Sequence, residues 1–87
     1  MRAALDRARA AEADARSRAD AVVADQARLR DNLGAVPANS ALQQQYLRAL
    51  GDTEAQLAKL RAEADQDRAA GAKADAALRD YLASLVL

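Results

Sequence analysis

Hydrophobic residues recur along the chain at alternating spacings of three and four, in two long segments. In the second segment the series runs from Tyr46 to Leu85 without a skipped position, and in the first it runs from Leu5 to Val36 with smaller and more polar occupants. This spacing is typical of helices that pack along one seam, as in coiled coils. We predict two such helices. The larger residues of the predicted seam are Val22, Leu29, Leu33, Tyr46, Leu50, Leu57 and Leu60.

One short segment separates the two series and contains the only proline. Gly34 suits the left-handed position that closes a helix, and Pro37 prevents the helix from continuing. Ser40 followed by Gln43 fits a capping box, in which the hydroxyl accepts from a backbone N–H and the amide reaches back. We therefore predict helix one over about 2–33, a turn over 34–40 and helix two over about 41–86.

Two helices joined by one short turn run antiparallel, and their lengths here are unequal. At 1.5 Å per residue, helix one spans roughly 48 Å and helix two roughly 70 Å. The predicted fold class is all-α, an antiparallel two-helix coiled-coil hairpin with unequal arms. Pairing the helices about the centre of the turn sets Leu29 near Tyr46, Val22 near Thr53 and Ala15 near Leu60.

The longer helix leaves about a dozen residues at its C-terminal end without a partner in the hairpin. This overhang is the most apolar stretch of the chain, and an exposed apolar end usually marks an interface. We predict that it pairs with a second copy, giving a homodimer with a four-helix arrangement, or that it meets an upstream domain of the same protein. The predicted interface residues are Leu78, Tyr81, Leu82, Leu85, Val86 and Leu87.

Composition supports an extended helical module over a compact globule. The 87 residues include 26 alanines but only sixteen leucines and valines, and no phenylalanine or tryptophan. Alanine contributes little to a core, whereas each buried leucine or valine contributes roughly 1.5–3 kcal/mol. The chain is too poor in large side chains for a deep core, and without cysteine or histidine it has no disulfide or zinc site to compensate.

Several classes of function are disfavoured by the same counts. Without histidine or cysteine the chain lacks the commonest general base, thiolate nucleophile and soft metal ligands. We predict no enzyme activity and no catalytic, cofactor-binding or metal site, hence no small-molecule substrate. Equal numbers of acidic and basic residues, 13 of each, give no basic stripe for nucleic acid. No apolar run approaches the roughly 20 residues that cross a bilayer.

Four polar or small residues occupy seam positions where large apolar residues are expected, namely Glu12, Gln26, Asp67 and Gly71. Glu12 and Asp67 fall near the same end of the hairpin and could form a carboxylate site. No further acid, base or ligand accompanies them, which favours a loose, solvated end of the seam. A polar seam residue can also fix the register or oligomeric state of the helices.

The residues around the turn carry a pattern that a heptad does not demand. Arg28, Arg30 and Asn32 precede the turn, and a Tyr-Leu pair follows it. Over residues 21–87 the chain resembles the extreme C-terminal region of bacterial proteins related to mucoidy inhibitor A, a domain of unknown function. One departure is Thr53, where that family more often places glutamine. The further matching residues are Asp25, Gln26, Leu29, Leu33, Tyr46, Leu47, Leu50, Glu54, Leu57, Leu60, Tyr81, Leu82, Leu85, Val86 and Leu87.

The resemblance implies a C-terminal coiled-coil hairpin excised from a larger bacterial protein with a β-rich remainder. The family name implies a loose link to envelope polysaccharide regulation, with the cytoplasm or the cell envelope as the compartment, and no established activity. Our leading functional hypothesis is a non-enzymatic interaction module that self-associates or docks on neighbouring domains. The alternative is an adaptor or spacer hairpin that contacts a partner protein through its turn.

Overall fold

The chain forms a helical hairpin in the computed structural model, which describes residues 2–86. Helix α1 comprises Arg2–Ala35 and helix α2 comprises Ala41–Leu85, with 34 and 45 residues. The two helices pack on each other along a molecule of 72 × 14 × 13 Å. The predicted fold class, an all-α antiparallel hairpin with unequal arms, is confirmed.

The turn between the helices is organised by Ser40, the N-cap of α2. Its hydroxyl accepts a hydrogen bond from the backbone N–H of Gln43 at 3.0 Å and donates one to the carbonyl of Pro37 at 2.7 Å. The side-chain carbonyl of Gln43 accepts from the backbone N–H of Asn39 at 2.7 Å, one residue before the position that a capping box uses. These bonds tie the turn to the first turn of α2.

The end of α1 differs from the prediction. Gly34 lies inside the helix, which continues to Ala35, and no described glycine has a positive φ. The left-handed residue of the turn is instead Asn39, with φ 62°. The residue before a proline is disfavoured in the helical conformation, so α1 stops just ahead of Val36 and Pro37. Asparagine tolerates the left-handed region better than most residues, which explains its place in the turn.

The side chains that α1 and α2 bury follow the alternating three- and four-residue spacing. The most buried positions of α1 are Leu5, Ala15, Gln26 and Leu29, and those of α2 are Thr53, Leu57, Ala64 and Gly71. The other residues of the predicted seam between Leu5 and Leu78 are half-buried, including Val22, Leu33, Tyr46, Leu50 and Leu60.

The register between the helices differs from the predicted one by just over one turn. A Cβ on Gly71 would lie 3.7 Å from the Cβ of Ala8, so these residues face each other. The predicted pairing would have set Ala8 opposite Asp67, four residues earlier. The difference arises because α1 is longer than predicted and the first turn of α2 extends past it beneath the turn. The observed register sets Val22 opposite Leu57, Leu29 opposite Leu50 and Leu33 opposite Tyr46.

Candidate interaction surfaces

The C-terminal end of α2 extends beyond α1 and exposes its apolar side chains. The register of the hairpin sets Arg2, the first residue of α1, opposite Ala77, so residues 79–86 form the overhang. It is shorter than the predicted dozen residues, and Leu78 is half-buried at its base. Leu87 lies outside the described residues. The exposed fractions along the overhang are 50% for Tyr81 and Leu82, 63% for Leu85 and 85% for Val86.

Two further exposed leucines lie at the opposite end of the hairpin, beside the turn. Leu42 is 44% exposed and Leu47 is 50% exposed. The predicted seam did not include these two leucines, because both fall next to it, and Leu47 was named only as a residue of the family resemblance. The sequence signal that could have identified them is a large aliphatic residue at a position next to the seam. The three predicted turn residues Gly34, Pro37 and Ser40 lie at this end, the first two exposed and the third half-buried.

An open groove of about 370 Å³ runs between the helices near the middle of one face. Val23 is 43% exposed at this groove, again at a position next to the seam. Aliphatic side chains form the floor, and two arginines and two aspartates border it. The lining residues are Arg16, Ala19, Asp20, Val23, Leu57, Leu60, Arg61, Ala64 and Asp65. Because the groove is open to solvent along its length, it lacks the enclosure of small-molecule sites.

The polar residues of the seam are satisfied within the hairpin. Gln26, only 3% exposed, donates a hydrogen bond to the carboxylate of Glu54 at 2.9 Å. The hydroxyl of Thr53 donates to the carbonyl of Leu50 at 2.7 Å. Within residues 2–86 no buried side-chain polar atom lacks a partner. These residues therefore present no free group to a ligand, and Gln26 joins the two helices through a polar contact.

The two seam carboxylates lie across from each other. The observed register sets Glu12 opposite Asp67, and both residues are half-buried. Arg16 pairs with Glu12 at 2.7 Å on the same helix. Among the described residues no three acidic side chains come together as ligands for a metal ion. The arrangement brings two like charges into the seam, with one of them neutralised by arginine.

Ion pairs cover the outer faces of both helices. Besides the Arg16 pair, Arg18 pairs with Asp14 at 3.5 Å and Arg79 pairs with Asp75 at 3.1 Å, each within one helix. Two contacts join the helices, Arg18 to Glu63 and Arg30 to Glu54, and both are 3.9 Å. The four arginines in these five pairs are more than half exposed, so each pair contributes at most about 1 kcal/mol.

Comparison of the chain with protein-family models, with curated proteins and with solved structures gave no match. The resemblance of the turn and overhang to the mucoidy inhibitor A-related family stays a prediction. Neither α1 nor α2, over the stretch from Arg2 to Leu85, is long and apolar enough to cross a membrane.

Proposed function

We propose that this chain is a non-enzymatic interaction module whose helical hairpin mediates self-association through the overhang of α2. The observation that carries the proposal is the exposure of Tyr81, Leu82, Leu85 and Val86 on one short helical segment. Contiguous apolar surface of this kind is rare on a soluble monomer unless it binds a partner. Apart from three exposed aliphatic side chains near the turn and the groove, the remaining outer surface is mostly alanine and charged or polar side chains, which favours solubility over adhesion.

The overhang is suited to association because it is already a formed helix. The helix continues to Leu85, and the backbone N–H of Val86 closes it with a 3.3 Å bond to the carbonyl of Ala83. A preformed helix loses little conformational entropy when it binds, so most of the apolar burial contributes to affinity. In the observed register the overhang extends past Arg2, the first residue of α1, and its large apolar side chains are at least half exposed.

Sedimentation equilibrium over a wide range of protein concentrations tests this proposal. The unchanged chain is expected to form a larger species as concentration rises. The double variant Leu82→Asp with Leu85→Asp is expected to weaken association at least tenfold, because both leucines would become charged at the contact. A matched control is Ala69→Asp with Ala72→Asp, two exposed positions on the outer face of α2.

Circular dichroism on both double variants establishes that the hairpin itself still folds. Similar helicity with unequal association would support the overhang as the contact. Equal loss of association in the two variants would contradict the overhang as the contact surface. A monomer at every concentration would contradict self-association.

A second candidate function is an adaptor that contacts a partner protein through the turn end. The exposed Leu42 and Leu47 favour it, since both are large apolar side chains close to a turn held by hydrogen bonds. This function predicts that Leu42→Asp with Leu47→Asp abolishes binding of a purified partner, identified through photo-crosslinking at either position. It also predicts that the overhang variants bind that partner normally, which separates the two functions.

A further inference from the structure

The seam of α2 continues past the part that α1 covers. Gly71 is buried against α1, and Ala74 and Leu78 are half-buried. The next two positions of the same series, Tyr81 and Leu85, are 50% and 63% exposed. They would be covered by a helix running antiparallel to α2 and in line with α1. Within residues 2–86, two layers of an existing helix–helix interface have no second helix.

A second copy of this chain supplies a helix with the required spacing. Tyr81 and Leu85 are four residues apart, so an antiparallel pair of overhangs sets Tyr81 opposite Leu85 of the second copy, and Leu85 opposite its Tyr81. The contact is isologous, since the same surface is used on both copies. It repeats the antiparallel packing that the hairpin already makes between α1 and α2.

The flanks of the overhang are compatible with this pairing. Leu82, 50% exposed, lies next to the seam and comes close to the two-fold axis, where it meets Leu82 of the second copy. Arg79 and Asp80 carry opposite charges and lie away from the seam, so the overhang has no net charge within residues 79–86. Antiparallel overlap therefore brings together apolar side chains without repulsion between like charges.

We infer that two hairpins join end to end through an antiparallel overlap of residues 79–86. The inference rests on the proposed function, because it specifies the partner and the geometry of that self-association. In this overlap Leu85 of the second copy opposes Tyr81, four residues beyond Ala77, which faces Arg2. The C-terminal end of one α2 thus continues the line of the other copy's α1 without overlapping it.

Small-angle X-ray scattering measures the shape of the assembly. Two rods of 72 Å that share about eight residues form a particle about 130 Å long, since eight helical residues span about 12 Å. The radius of gyration is expected to rise about twofold from 20.1 Å as dimer forms. Side-by-side hairpins in a four-helix arrangement would leave the length near that of the monomer, which would overturn the end-to-end geometry.

Cross-linking through introduced cysteines tests which residues meet, and the chain has no cysteine of its own. A mixture of Tyr81→Cys and Leu85→Cys proteins, treated with a short bis-maleimide, is expected to give several-fold more dimer than either variant alone. Leu82→Cys alone is expected to cross-link to itself. Ala69→Cys on the outer face is the control and is expected to stay monomeric under the same treatment.

The experiments distinguish a failure of self-association from a failure of the antiparallel overlap. Absence of dimer in sedimentation at all concentrations would contradict the proposed function and this geometry together. A dimer that scatters as a compact particle, or that cross-links best when both copies carry Tyr81→Cys, would retain self-association and overturn the antiparallel overlap.

Discussion

At the scale of single residues, Gly71 is a weak point in the seam that could be improved. Its missing side chain faces the Cβ of Ala8 at 3.7 Å, an ordinary van der Waals distance, so a methyl group fits without displacement. Glycine inside a helix costs about 0.5–1 kcal/mol relative to alanine because the unfolded chain is more flexible.

We expect Gly71→Ala to raise the free energy of unfolding by about 1 kcal/mol. Thermal unfolding followed by circular dichroism measures the change. Gly51→Ala, where the added Cβ would meet nothing within 4 Å, is the control and should gain slightly less because no contact is added. A lower melting temperature for Gly71→Ala would mean that α1 and α2 approach more closely than the structure shows.

Gln26 is a second seam residue whose replacement is expected to raise stability. It is buried, but its partner Glu54 is 64% exposed at the side chain and would keep its hydration if the hydrogen bond were lost. We expect Gln26→Leu to increase the free energy of unfolding by about 1–2 kcal/mol through added apolar burial. Chemical denaturation measures this gain, and Gln56→Leu on the exposed surface should give little. No gain at Gln26 would show that the hydrogen bond to Glu54 contributes as much as a buried leucine.

At the scale of the elements, the ends of the helices are set by different interactions. Ser40 begins α2 through its bond to Gln43, and losing an N-cap hydroxyl typically costs about 1 kcal/mol. We expect Ser40→Ala to lower the stability by that amount, with Ser40→Asp retaining most of it because a carboxylate also accepts from the backbone. Urea denaturation of the three proteins tests this order. Equal stabilities would mean that the turn is held by Pro37 and Asn39 alone.

The seam between α1 and α2 contains one electrostatic conflict, Glu12 opposite Asp67. Glu12 has a close cation, Arg16 at 2.7 Å, whereas no ion pair within residues 2–86 involves Asp67. We expect Asp67→Ala to raise the free energy of unfolding by about 0.5–1 kcal/mol, since it removes a like charge and adds a good helix former. Asp65→Ala, at an exposed position of the same helix, is the matched control. A larger gain at Asp65 would place the carboxylates farther apart than the register implies.

The elements themselves could be predicted from the alternating spacing, because seam positions such as Leu29 and Leu57 recur at a period that only a helix places on one face. The end of α1 could not be predicted in the same way. Gly34 has only a general preference for the end of a helix, whereas Pro37 sterically disfavours the helical conformation of the residue before it. The register was also wrong. It depends on how far the first turn of α2 passes α1, and the seam spacing is satisfied equally well after a shift by one seam position, here four residues.

For the candidate surfaces, the exposed overhang could be anticipated from the unequal lengths of the helices. Its extent could not, because the shifted register covers Leu78 and leaves only residues 79–86 beyond α1. The exposure of Leu42 and Leu47 was not predicted, since a leucine that flanks a seam is either half-covered or exposed according to how closely the facing helix approaches. That distance is fixed by the small residues of the other layers and is not visible in the local sequence.

At the scale of the whole molecule, the hairpin is a rod only 14 × 13 Å across. Among the described residues no side chain is completely buried, so every layer of the seam lies close to solvent. The layers near the turn pair large residues, as with Leu29 and Leu50, whereas those near the open end include Ala15 with Ala64 and Ala8 with Gly71. Stability along the rod is therefore uneven.

This gradient determines how the molecule opens. A rod in which each layer contacts only its neighbours can separate locally, as repeat proteins do, without unfolding as a unit. We expect amide hydrogen exchange to be slowest around Leu29 and Leu50 and to quicken progressively toward Leu5 and Ala74. Uniform exchange along both helices would indicate a single cooperative transition. If the ends of two hairpins meet as inferred, exchange near Leu78 slows with protein concentration, and fraying at the open end becomes a reporter of assembly.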